Sequence, residues 1–239
     1  TRGTAMYSEY SFDFDGVGDV IDCGNPAELQ ITGALTISLW VKSTDATDYV
    51  LVQKDGIGSN RNYALWGNEW GASTFIWWAV WNGVTETSLS STITINDGDW
   101  HHVVAVYEPS TALRIYIDGV LDAENTTSIP ASINNTASPF EIGRASVGYG
   151  YYMDGLINNM AVWNSVLSAA NVTTLYNNGR PTDLTDLSPV AWWKLGNEAF
   201  WDGVNWIVPD QTTNNNDATS SGNPDLVGEA PQSFSNGLS

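Results

Sequence analysis

Short segments in which apolar and polar residues alternate, each closed by turn formers, recur along most of this chain, and almost nothing carries a helical period. In Leu35-Thr36-Ile37-Ser38-Leu39-Trp40-Val41, the residues Leu35, Ile37, Leu39 and Val41 share one face, because successive strand side chains point to opposite sides. That face is expected to be core, and the face of Thr36, Ser38 and Trp40 mostly wet. The run Phe75-Ile76-Trp77-Trp78-Ala79-Val80-Trp81 is apolar on both faces. Such a strand is either covered on both sides or meets a partner with its outer face. Strands are expected from Trp100 to Tyr107 and from Leu113 to Ile117, and Asp118-Gly119 is the two-residue signal that turns the chain back as a hairpin. One short helix is expected from an N-cap at Ser168 to Tyr176, with Val172, Leu175 and Tyr176 on one stripe and Gly179 and Pro181 as stops.

These signals predict an all-β fold of antiparallel sheets with one short helix, and 239 residues suffice for one sandwich with a single core. Cys23 is the only cysteine, which excludes an intrachain disulfide and a thiolate zinc cluster. With 27 acidic and 8 basic residues the formal charge is −19, a field that repels phosphate backbones, so nucleic acid is not an expected partner. No apolar stretch is long enough for a membrane-spanning helix, and membrane insertion is not expected. The sequence shows no signal peptide, and its start at Thr1-Arg2-Gly3 suggests a processed or excised product.

Three stretches, in order, carry a family resemblance. Phe12-Asp13-Phe14-Asp15-Gly16-Val17-Gly18-Asp19-Val20-Ile21 resembles the opening strand of the laminin G-like jelly roll, within the concanavalin A-like lectin and glucanase superfamily. Trp100-His101-His102-Val103-Val104-Ala105-Val106-Tyr107 with Leu113-Arg114-Ile115-Tyr116-Ile117-Asp118-Gly119 is similar to that family's Trp-His-His-Val hairpin. Residues Gly155 to Ser168 resemble its closing strand and the start of its helix. The resemblance implies a two-sheet antiparallel jelly-roll sandwich spanning 7–219. Val190-Ala191-Trp192-Trp193-Lys194-Leu195, with the polar run Asp210 to Asp217, looks like the segment that normally precedes the opening strand, yet here it comes last. Residues 190–219 are therefore expected as a displaced strand segment. It is expected to pair within its own chain beside Leu156 to Trp163, an assembly role through donation to a neighbour being the alternative. Residues 220–239 are expected as loop or extended arm. The Asn/Thr-rich acidic style also resembles laminin G-type structural proteins of marine phages.

No Glu-x-Asp-x-x-Glu spacing or comparable carboxylate pair occurs, so glycoside hydrolysis is not expected. His101 and His102 are adjacent on a strand and point to opposite faces, which prevents joint metal binding or proton relay. The resemblance implies a structural calcium ion near the opening and closing strands, where Asp15, Gly16 and Asn158 match; an amide at Asn158, where the family often has an acid, removes charge a hard cation favours. Flat rings stack on sugar faces, which makes Trp66 and Trp70 of the middle strands and Tyr149 and Tyr151 of a Gly-rich loop the candidate glycan- or partner-binding residues. The expected function is a non-catalytic, lectin-like adhesion or structural module at an extracellular or virion surface, meeting glycans or neighbouring subunits. A secreted bacterial carbohydrate-binding module is the alternative.

Overall fold

The computed structural model describes residues 8–56, 61–68, 75–145 and 150–232. Among them the strands are β1 (Ser11–Asp15), β2 (Val20–Asp22), β3 (Leu35–Lys42), β4 (Tyr49–Asp55), β5 (Arg61–Gly67), β6 (Phe75–Trp81), β7 (Glu86–Thr94), β8 (His101–Glu108) and β9 (Ala112–Ile117). They continue with β10 (Val120–Asn125), β11 (Glu141–Ile142), β12 (Asp154–Trp163), β13 (Ala191–Trp193), β14 (Phe200–Trp201), β15 (Trp206–Val208), β16 (Ala218–Ser221) and β17 (Asp225–Val227). The helix α1 (Ala169–Tyr176) lies between β12 and β13. One sheet runs β10-β9-β8-β3-β12-β1-β17, with β13 also on β12; the other runs β14-β15-β16-β2-β11-β4-β5-β6-β7, and every pairing is antiparallel.

The two sheets bury a shared core. Leu35, Ile37, Leu39 and Val41 of β3 meet Leu65 of β5, Ile76, Trp78 and Val80 of β6 and Phe12 and Phe14 of β1, as the alternation predicts. The hairpin at Asp118-Gly119 forms with Ile117 opposite Val120, and both turn residues adopt positive φ, which short-chain Asp and Gly tolerate. Ser168 caps α1 by accepting the Asn171 N–H, while the Asn171 side chain accepts from the Ser168 backbone, and Val172 and Leu175 are its buried stripe.

The outer face of β3 departs from expectation. Thr36, Ser38 and Trp40 are buried, because α1 and the flanking segments lie over that sheet. Trp40 stacks on Tyr176 of the helix with centroids 5.8 Å apart, and His102 Nε2 lies 2.8 Å from Ser38 Oγ beneath them. Alternation marks the polar side of a strand; it carries no information about a helix folding over it.

The C-terminal segment folds back onto its own chain. β13 pairs with β12, Met160 facing Trp193 and Val162 facing Ala191, along the edge of β12 whose earlier residues pair with β1. The strands β1 and β13 thus follow one another along a single neighbour, β1 pairing as far as Ile157 and β13 from Met160, and at the same place the ladder of β12 with β3 shifts register between Asn158 and Ala161. At this junction Gly196 sits against Ser11, so close that a Cβ on it would lie 2.4 Å from the Tyr10 carbonyl oxygen. The expectation of loop or arm from residue 220 onward is corrected for Ser220 and Ser221, which end β16 and pair with β2, and for Asp225–Val227, which pair with β1 as β17. Leu226 supplies the reason, since it packs against the core from the last strand of that sheet.

Candidate binding face

The outer face of the nine-stranded sheet carries an aromatic cluster built by register. Trp66 of β5 lies opposite Trp77 of β6, and Ala64 lies opposite Ala79, so two indoles stand beside a floor of two methyl groups. Trp66 and Trp77 meet edge to face at 6.2 Å, Trp77 and Trp81 at 5.9 Å, and Tyr151 packs on Trp66 at 5.3 Å. Trp77 and Trp81 are nearly buried, whereas Trp66 and Tyr151 keep partly open surfaces. The guanidinium of Arg61 lies 5.0 Å over the Trp81 ring, a cation–π contact, and approaches Asp55 at 3.8 Å and Glu86 at 4.0 Å.

Polar groups are sunk among these rings. Gln53, Asn62, Asp55 and Glu141 are each buried, yet Gln53 Oε1, Asn62 Nδ2 and the Trp66 indole N–H have no hydrogen-bond partner. Buried polar atoms are normally satisfied, and these three are both unmatched and closed to solvent. Burial pushes the Asp55 carboxyl up to about 7 against the pull of Arg61. Burial likewise raises Glu141, opposed by its ion pair with Arg144. Beside the face, the Lys54 amine donates to the carbonyls of Thr136 and Ser138, and Thr136 donates in turn to Asn62 Oδ1, which ties the 136–138 loop to β5.

Two of the four aromatic residues expected at a site, Trp66 and Tyr151, are brought into contact. Trp70 and Tyr149 lie outside the described residues. The expected calcium ligands are not brought together. Asp15 lies opposite Asp154 at the end of the β1–β12 ladder, and Asn158 is four residues further along β12, about 13 Å at about 3.3 Å per residue. Asp15 Oδ1 accepts the N–H groups of Val17 and Gly18 in the turn that contains Gly16. Asn158 is fully buried and donates to Ser8 Oγ and the Tyr10 carbonyl. Its amide thus staples the N-terminal segment, a task that needs the NH₂ group a carboxylate lacks. Asp13, Asp15, Asp19, Asp154 and Asp225 do line a cavity of about 250 Å³ with Phe14 and Asn223. Among the described residues, however, no three His, Cys, Asp or Glu side chains are arranged to hold a metal ion.

Arg61, Gln53, Asn62 and Asp55 escaped the sequence reading, since they meet the aromatic rings only through the β4–β5–β6 register. Trp77 was signalled by the strand apolar on both faces.

Comparison with known proteins adds the following. Residues 15–173 match the Laminin_G_3 model of the concanavalin A-like lectin/glucanases superfamily. The adhesion G-protein coupled receptor V1 of Danio rerio is 25% identical over 164 residues, which are 66% of this chain and 3% of that receptor. Among solved structures, a protein from Bacteroides ovatus assigned provisionally to carbohydrate binding superposes with a TM-score of 0.72 at 14% identity, over 93% of this chain and 61% of its own. Domain 4 of an extracellular arabinanase from Geobacillus stearothermophilus, solved with arabinotriose, superposes with a TM-score of 0.53 at 19% identity, over 69% of this chain and 75% of its own.

Proposed function

The chain belongs to the concanavalin A-like lectin/glucanase superfamily, and from that premise we propose that it is a non-catalytic glycan-binding module that works outside the cell as an adhesion component. The observation that carries this reading is the outer face of β5 and β6, where the partly open rings of Trp66 and Tyr151 pack together beside the nearly buried Trp77 and Trp81. Rings of this kind stack on the C–H faces of sugars. The acids at the face have other work: Asp55 and Glu86 both approach Arg61, and Glu141 is paired with Arg144. The −19 charge turns away acidic polymers and favours a neutral glycan.

The test is a panel of neutral polysaccharides, linear arabinan, xylan, mannan and mixed-linkage glucan, scored by retardation in affinity gels. Retention of the wild type by one of them, lost in Trp66→Ala with Tyr151→Ala while the melting temperature stays within a few degrees, is the expected result. A wild type retained by none of the four rejects the reading.

A further inference from the structure

The strand register lines up one row of outward side chains across the whole nine-stranded sheet. Phe200 faces Ile207, Ile207 faces Thr219, Thr219 faces Asp22, and Asp22 faces Glu141. Glu141 faces Gln53, Gln53 faces Ala64, Ala64 faces Ala79, and Ala79 faces Ser88. Residues directly opposite in a ladder share a face, so Phe200 and Ile207 point to the same side as the Trp66 cluster. Six strand spacings of about 4.8 Å separate β14 from β5, about 29 Å.

The β14–β15 hairpin at the far end is apolar and open. Phe200 is 54% exposed on the side of the row, Val204 72% at the turn, and Trp201, opposite Trp206 on the other side, 46%; Ile93 of β7 and Val120 and Leu121 of β10 are further apolar strand residues left exposed. Its conformation is nevertheless held: Asp202 accepts the N–H groups of Val204 and Asn205, Trp206 donates its backbone N–H to Ser220 Oγ, and the Trp206 ring meets Phe12 at 5.6 Å. The hairpin also lies beyond the residues 15–173 that match the family. A rigid, exposed apolar patch marks a contact surface.

We infer that Phe200 and Ile207 form a second, distal subsite for the same ligand, which is therefore an extended neutral polysaccharide lying across the strands rather than a chain end or a short oligosaccharide. The inference rests on the glycan-binding reading of the Trp66 face. Glu141, Gln53, Ala64 and Ala79 of the row are buried, and the position of Phe200 and Ile207 on the same side of the same sheet as the Trp66 cluster selects a glycan as the occupant. A second copy of the chain is disfavoured, since it would bring a charge of −19 against its equal, and the two-residue edge strand β14 offers little backbone for edge pairing. Between the two aromatic ends Thr219 and Asp22 remain accessible to accept hydroxyls, and the Asp22 charge repels uronate or sulfate groups, while Glu141 is buried and paired with Arg144.

The experiment compares the polysaccharide that the neutral panel selects with its own trisaccharide, titrated calorimetrically into wild type, Phe200→Ser, Ile207→Thr and Trp66→Ala. Phe200→Ser is expected to weaken the polymer at least tenfold and leave the trisaccharide unchanged, while Trp66→Ala weakens both. Ile207→Thr repeats the first pattern should circular dichroism show Phe200→Ser to be altered in fold. Unchanged polymer affinity in both hairpin variants overturns the distal subsite and leaves the Trp66 face standing. An equal loss of polymer and trisaccharide also overturns it, as does a wild-type dimer in sedimentation that Phe200→Ser makes monomeric. A wild type that binds neither ligand removes the glycan reading itself.

Discussion

Asn158 Nδ2 donates to Ser8 Oγ at 2.7 Å across 150 residues of chain, and the same nitrogen donates to the Tyr10 carbonyl at 2.7 Å. One buried amide thereby fastens the strand that opens the fold to the strand that closes it.

Replacing this amide by the acid common in the family, Asn158→Asp, is expected to destabilise rather than to create a metal site. The carboxylate has no NH₂ to give, and it would face a carbonyl oxygen in a fully buried position. Leaving a buried charge uncompensated costs about 3–5 kcal/mol. For a chain of this size that lowers the melting temperature by about 10 °C. Calcium added to either protein should leave its melting curve where it was; a rise with Asn158→Asp alone would show that the position does accept the ion.

Gly196→Ala tests the junction between β1 and β13. Gly196 has φ of 138°, and its Cβ would lie 2.4 Å from the Tyr10 oxygen and 2.8 Å from the Ser11 nitrogen. These are backbone atoms, which cannot swing aside as a flexible side chain does. A loss of about 3 kcal/mol is expected in urea denaturation, the sum of backbone strain and overpacking. A variant as stable as wild type would mean that the C-terminal segment is not docked as described.

Asp55 predicts a pH dependence of stability. Its folded pKa of about 7 lies above the unfolded value of about 3.9, so the folded state takes up the proton first. Its contribution is fully present below about pH 4 and is lost as pH rises through 7. His101, lowered by burial but raised on balance by Asp118 and Asp97, acts in the same sense at the alkaline end. His102, which burial lowers to about 3, acts oppositely, and its contribution is lost as pH falls below the unfolded value of about 6.5. The urea midpoint of the wild type should therefore fall between about pH 6 and about pH 8, and Asp55→Asn should flatten most of that fall. Parallel curves for the two proteins would contradict the assignment.

Asp13 stands directly opposite Asp225 across β1 and β17, and Asp15 opposite Asp154 across β1 and β12. Burial raises the Asp13 pKa, and the charges of Asp154, Asp225 and Asp19 raise it further. Like charges facing each other across a ladder destabilise it. Asp13→Asn should accordingly raise the melting temperature at neutral pH, and about 1 M salt, where the screening length is about 3 Å, should erase most of the gain. A gain independent of salt would point to packing instead of repulsion.

Much of this fold is legible along the chain. Apolar alternation from Leu35 to Val41, the Asp118-Gly119 turn and the Ser168 cap each act over a few residues, so the local sequence determines them. The too-apolar strand around Trp192 and Trp193 likewise announced that it must pair. Which side chains meet is a different matter. Trp66 and Tyr151 touch, Arg61 covers Trp81, and Phe200 shares a row with Ala64 only because strands distant in sequence take up one order and register. The burial of Trp40 beneath α1 and the use of Asn158 as a staple follow from the same long-range docking. A period of two tells each residue which face of its strand it occupies. The partner on that face is chosen by the energy of the whole packed sandwich, which no local pattern encodes.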